Sequence, residues 1–342
     1  MTSRPLLKCL WPVLRRGNGD VQLGIDPSRA VVLRGLTEDQ VTALESLDGT
    51  RDLPAALADH SGLLALLRRH GLVGPVRDHP GLPVELRAVL AVESEALGRT
   101  TGPGDGYAVL ARRRSALVLL VGQGPLPSAL ATLLRRAGVG TVRSGSLAVE
   151  ELERERVDTG AGPAPSLVVL VAPQAVAPGV AEPWRRLGIP VLPVVMHLVE
   201  AVVGPVVQAG GPCLRCLDLT RADLDAAWPL LAGQLTRPAV GRPEEVGGET
   251  SLVAVTAGLA SMVALAVLDG QPLPRGRSLE VALPWPGVRQ REWPVHRRCS
   301  CATAGSVGAA ALGASGDAVG APADAMGGPT DERERSQATM AR

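Results

Sequence analysis

The sequence predicts a doubly wound α/β domain preceded by a small α+β module, and three observations carry that expectation. Residues 115–121, SALVLLV, form an uninterrupted apolar run of the kind found in a parallel strand buried on both faces. Gly122-Gln123-Gly124 follows at once and opens a helical segment. Further apolar runs at 167–171 and 189–195, separated by helical stretches, complete the alternation of a parallel sheet.

The elements follow in order. Val21-Gln22-Leu23-Gly24-Ile25 and Ala30-Val31-Val32-Leu33 flank the polar turn Asp26-Pro27-Ser28-Arg29 and predict a β-hairpin. Thr37 precedes Glu38-Asp39-Gln40 as a helix cap, with Val41, Leu44 and Leu47 at helical spacing and Asp48-Gly49-Thr50 as the stop. Two short helices, 53–58 and 63–70, end at Gly71. Residues 1–75 therefore read as a winged-helix-like module. It lacks a concentrated basic helix, since Arg68 and Arg69 read as a solvated face. A hairpin edge that accepts an extended peptide by strand addition is the functional reading, and a module that only packs on its neighbour is the alternative. Residues 76–110 read as a connector holding one helix at 85–97 and a glycine-rich stretch at 100–106.

In the second domain, 111–301, a helix at 128–137 ends at Gly138-Val139-Gly140 before the short strand Thr141-Val142, and a Trp184-containing helix precedes the strand at 189–195. The triplet Arg112-Arg113-Arg114, just before the first strand, reads as solvent-facing. Residues 251–268 carry no charge and approach spanning length. Their Ala, Gly, Ser and Thr content, with Glu249 and Asp269 as flanks, suits a helix buried against other helices or at a dimer interface better than a membrane span. Residues 302–342 read as a disordered tail.

With 342 residues and 46% hydrophobic content, the chain can bury two cores. A formal net charge of +1 gives no electrostatic argument for nucleic acid or an anionic membrane. No N-terminal segment reads as a secretion signal, so the cytoplasm is expected. Lys8 is the only lysine, Asn18 the only asparagine, and phenylalanine is absent.

Four thiols occur in two close pairs, Cys213-x-x-Cys216 and Cys299-x-Cys301. Each pair can present two thiolates to one ion, and a closed four-sulfur shell holds structural zinc with no open position for substrate. Two redox or disulfide pairs are the alternative. Cys9 stands alone and reads as a buried thiol. His296, three residues before Cys299, joins the site only if one cysteine is not a ligand. His197 ends an apolar strand, where α/β sites gather, and reads as a core or rim histidine. Trp184, Trp228, Trp285 and Trp293 read as packing anchors.

Gly122-x-Gly124-x-x-Pro127 between strand and helix has the form of a Rossmann-like nucleotide-binding turn. Pro127 stands at the third glycine position, and Arg143-Ser144-Gly145 stands where a ribose-binding carboxylate is expected. The turn with Val121, the helix end Arg135-Arg136-Ala137-Gly138-Val139-Gly140, Val203-Gly204-Pro205, and Gly211-Pro212-Cys213-Leu214-Arg215-Cys216-Leu217 together resemble the ThiF/MoeB family of ubiquitin-activating-like adenylyltransferases. The resemblance covers 111–301 and implies a zinc held by Cys213, Cys216, Cys299 and Cys301, although the family's second pair usually has two intervening residues. It also implies a homodimer.

Active members of that family place acidic, arginine, asparagine and lysine side chains around ATP and magnesium. Here the α/β domain has neither lysine nor asparagine, and Leu170-Val171-Ala172-Pro173 stands where the family carries an aspartate. Phosphoryl and nucleotidyl transfer need charge set against the phosphates, so a retired adenylyltransferase without bound ATP is expected. The layout also resembles the leader-peptide-binding partners of YcaO-type cyclodehydratases in bacteriocin biosynthesis. That resemblance implies a precursor peptide and a YcaO-type enzyme as partners, with Val21, Gln22, Leu23, Val31, Val32 and Leu33 at the peptide-binding hairpin. An active adenylyltransferase of a peptide or sulfur-carrier C-terminus and a purely structural assembly protein are the alternatives.

Overall fold

The computed structural model describes residues 5–7, 13–26, 30–48, 51–75, 82–100, 106–145, 147–159, 164–236, 245–285 and 287–301. The expected tail at 302–342, Cys9, the hairpin tip at 27–29 and most of the glycine-rich stretch lie outside these residues.

After β1 (Pro5–Leu7) comes an antiparallel meander of β2 (Leu14–Gly17), β3 (Asp20–Leu23) and β4 (Val31–Leu33). The hairpin expected from 21–33 thus has a third strand. The sequence LRRG of β2 lacks the alternation that announces a strand. It enters β3 through Gly17, Asn18 and Gly19, all at positive φ, where glycine and asparagine are the residues that adopt such backbone cheaply. Alternation in β3 buries Val21 and Leu23 against α1 (Glu38–Glu45), α2 (Ala55–Ala58) and α3 (Ser61–Arg69). β5 (Val73–Pro75) returns to pair with β1.

The connector is more helical than its composition suggests. α4 (Val84–Val89), α5 (Ala91–Thr100) and α6 (Gly106–Ser115) gather Leu82, Leu90, Leu97, Val109 and Leu110 into a small core. Gly106 is required there, since a Cβ would lie 1.8 Å from the Ser94 carbonyl oxygen. Arg113 is not solvent-facing as its triplet suggested. It is 3% exposed and forms a bidentate pair with Asp269, while Arg112 and Arg114 remain exposed.

The α/β part runs β6 (Leu117–Val121), α7 (Pro125–Arg136), β7 (Thr141–Ser144), α8 (Ala148–Thr159), β8 (Leu167–Ala172), α9 (Pro178–Arg186), β9 (Val191–Met196), β10 (Glu200–Val203), α10 (Leu214–Leu224), α11 (Trp228–Leu235), α12 (Thr250–Leu268), β11 (Arg277–Ala282) and β12 (Val288–Glu292). Its seven-stranded sheet has the order β12-β11-β10-β9-β8-β6-β7. Strands β7, β6, β8 and β9 pair in parallel, as expected, and β9 to β12 continue antiparallel. Alternate residues of each central strand enter opposite cores. Val118, Leu120, Val169, Val171 and Val194 meet α7 and α12 on one face. Leu119, Val168, Leu170 and Val191 meet α8, α9 and α10 on the other.

By length and composition α12 is apolar enough to cross a membrane. One face of it is built into the core, with Leu252, Thr256, Ala257, Ala260 and Ala264 buried, and it packs on α7, β10 and β11. Its start is capped by Glu249, whose carboxylate accepts from Leu252 N at 2.9 Å. At its end Asp269 opposes the helix dipole, and Arg113 compensates that charge.

Candidate functional site

Cys213 stands at the N-cap of α10, Cys216 one turn into the helix, and Cys299 and Cys301 on the segment beyond β12. The fold brings all four Sγ atoms within 4.8 Å of one another. Cys213 lies 3.5 Å from Cys299 and 3.8 Å from Cys216, and Cys216 lies 3.3 Å from Cys301. A tetrahedron with metal–sulfur bonds of about 2.3 Å has edges of about 3.8 Å. These separations are close to that value and far from a disulfide bond of about 2.05 Å. The donor set fits a metal of zinc's type.

Burial pushes the Cys213 thiol up to about 11 and raises Cys301 as well, so a cation is what would stabilise their thiolates. Arg185 lies within electrostatic reach of both and is held in place by a two-point pair with Glu182. Those same bonds hold the Glu182 carboxyl down at about 2. His296 is not part of the cluster. Its Nε2 lies 2.8 Å from Asp223 Oδ2, and its Nδ1 accepts from Arg298 N at 3.2 Å.

The glycine turn sits where the sequence predicts it, with Gly122 at φ 133 and Gly124 at φ 108 as the N-cap of α7. Its contacts are with the chain itself. The Gln123 carbonyl accepts from Val246 N at 2.6 Å, and Leu126 N, in the first turn of α7, donates to the Val246 carbonyl at 3.2 Å. A Cβ on Gly124 would lie 2.8 Å from Val246 N, and one on Gly122 2.6 Å from the Val171 carbonyl oxygen. An amide that faces phosphate in a nucleotide-binding turn here faces the segment just before α12. β8 ends at Ala172 and leads into Pro173, and neither brings a carboxylate to the turn.

A cavity of about 230 Å³ opens at the ends of β8 and β9. Its floor is Pro193 and Val195 of β9 with Val202 and Gly204, its wall Leu214, Leu217, Asp218 and Arg221 of α10, and its cover Trp228 and Leu235 of α11. Gln174 and His197 stand at its mouth. Trp228 Nε1 donates to Asp218 Oδ1 at 3.1 Å, and the Arg221 guanidinium lies 4.8 Å from the Trp228 ring and 4.9 Å from that of Trp293. Burial raises the Asp218 carboxyl and lowers Arg221. These indoles are thus more than anchors: they hold a cation in place. Trp184 is buried in the core, whereas Trp285 is 84% exposed.

In the first module Val21, Leu23 and Leu33 belong to its core, and Val31 and Val32 are half-buried. The Gln22 side chain donates to the Gly24 carbonyl at 2.7 Å and accepts from Arg16 at 2.8 Å. Strand β3 is paired on both sides, by β2 and by β4. An added strand would therefore pair with β4 or β2, and Val21, Gln22 and Leu23 form the layer beside that edge.

Solved structures with this architecture include E. coli MccB with succinimide, at 13% identity and a TM-score of 0.57, covering 87% of this chain and 99% of that one. The chain shares the Rossmann-like fold of that protein. A second likeness is PaaA, at 14% identity and a TM-score of 0.55, covering 82% and 98%. A third is a heterocyclase in complex with substrate and cofactor, at 18% identity and a TM-score of 0.59, with 88% of this chain covering 39% of that one. No family model and no curated protein matches the chain. A Rossmann-like fold is what the glycine turn implied, and at these identities the likeness establishes the fold alone.

Proposed function

We propose that this protein is a non-catalytic scaffold that binds a precursor peptide and presents it to an ATP-dependent YcaO-type cyclodehydratase. The observation that carries the reading is the Val246 backbone in the glycine turn, bonded to Gln123 and Leu126 where phosphate would sit. A chain that spends this amide on itself has little use for ATP at the turn, and its α/β domain, 111–301, offers no lysine or asparagine to replace the loss. The edge of β4 that pairs with no described strand offers main-chain groups to an extended leader, backed by Val21, Leu23 and Leu33. Among the fold neighbours, E. coli MccB has been solved with MccA, and a heterocyclase with substrate, which supports a peptide partner. In this reading Cys213, Cys216, Cys299 and Cys301 hold a structural zinc, residues 1–75 recognise the peptide, 111–301 dock the enzyme, and a homodimer works in the cytoplasm.

One observation favours a second reading, an active adenylyltransferase: MccB with the same fold has also been solved with ATP. Calorimetric titration of the zinc-loaded chain with magnesium-ATP separates the two, and no binding is expected. Micromolar affinity would move the assignment to the adenylyltransferase. On adding a precursor peptide, hydrogen exchange should slow at the amides of Val31, Val32 and Leu33, and unchanged exchange there would place recognition elsewhere.

A further inference from the structure

We infer that the cavity beneath α11 is a second peptide contact, a pocket for one apolar side chain whose flanking backbone amides are satisfied at its rim. The inference rests on the peptide-binding reading and deepens it. At about 230 Å³ the cavity lies below the roughly 300–1,000 Å³ of whole small-molecule sites, so it suits a side chain and not a nucleotide. Its interior is Val195, Val202, Pro193, Leu214, Leu217 and Leu235, which rewards an apolar occupant at about 25 cal/mol per Å² buried.

The rim chemistry selects for a neutral, hydrogen-bonding backbone beside that side chain. Asp218 Oδ1 accepts from Trp228, which leaves Oδ2 to accept an amide N–H. Arg221 lies 3.6 Å from the same carboxylate, so the pair presents little net charge to select a cationic or anionic ligand. Gln174 and His197 stand at the mouth with side chains engaged by no other described residue, ready to meet a peptide carbonyl. The position is also the one where open α/β sheets bind ligands, beyond the carboxyl ends of the strands. Leu198, 76% exposed, follows His197 in the chain, and Leu231, 40% exposed, lies three residues after Trp228 in α11.

The test uses capped amino acids as probes on the full chain labelled with nitrogen-15 at its indoles. N-acetyl-leucinamide and N-acetyl-phenylalaninamide should shift the Trp228 indole resonance saturably at millimolar concentration, and N-acetyl-glycinamide should not. Asp218→Ala should weaken the leucinamide about tenfold, the loss expected for a hydrogen bond to a charged group. Val195→Phe, which fills the floor, should abolish the shift, and Leu235→Trp does the same from the cover if the first variant fails to fold. No saturable shift, an equal response to the glycine amide, or an unchanged response in a folded filled variant would overturn the pocket. These probes do not require strand addition. A failed titration with intact peptide protection at β4 removes this pocket and leaves the leader reading standing, whereas a saturable shift without that protection supports the pocket alone.

Discussion

Cysteine is the residue whose clustering was most fully written in the chain. Two close thiol pairs in a cysteine-poor sequence have few other uses, and the fold brings residues 85 and 86 positions apart to 3.3 and 3.5 Å. Replacing Cys213 or Cys299 by serine should lower bound zinc from about one equivalent toward none and reduce the melting temperature, because metal binding to such a site is coupled to folding. Metal analysis with thermal unfolding checks this, and a variant that purifies metal-free and equally stable would remove the clip. Arg113 shows the opposite case. Nothing in an arginine triplet says which member turns inward, because the answer depends on Asp269, 156 positions away. The internal use of the glycine-turn amide was hidden for the same reason: Val246 is remote in sequence from Gln123 and Leu126, and the fold alone makes them neighbours.

Among the elements, α1 is the most legible, since its start is encoded by four consecutive residues. Thr37 Oγ1 accepts from Gln40 N at 3.3 Å, and the Gln40 side chain accepts from Thr37 N at 2.9 Å, a complete capping box. Thr37→Ala should destabilise the first module by about 1 kcal/mol, read from chemical denaturation of the full chain, while leaving zinc content unchanged. The central parallel strands were equally plain, because burial on both faces demands continuous apolar runs. The antiparallel extension was not. All five residues of β12, VRQRE, are exposed, and a strand at the sheet edge that carries charge reads as loop until its partner is known. The connector failed in another way: the break between α4 and α5 and the docking of α6 depend on Leu82, Leu90 and Leu110 meeting across a gap in the sequence.

The whole molecule depends on how its helical connector is tied to the α/β sheet, and Arg113 makes that tie. From α6 it pairs with Asp269 after α12, reaches Glu93 of α5 at 3.2 Å and donates to the carbonyl of Ala137 after α7 at 3.0 Å. Arg113→Leu would leave Asp269, whose side chain is 4% exposed, buried without its partner, and should cost about 3 kcal/mol by urea denaturation. The double variant with Asp269→Leu should recover most of that loss, since a matched apolar pair has no uncompensated charge. Should the single variant match the parent in stability, the connector is held by its leucines alone.

Gly124 makes a different point, about inheritance. A side chain there would strike Val246 whether or not a nucleotide ever entered the turn. Descendants of this chain would therefore keep the glycine under selection for loop seating alone, and its persistence would say nothing about ATP. The letters of a phosphate-binding signature can outlive the phosphate.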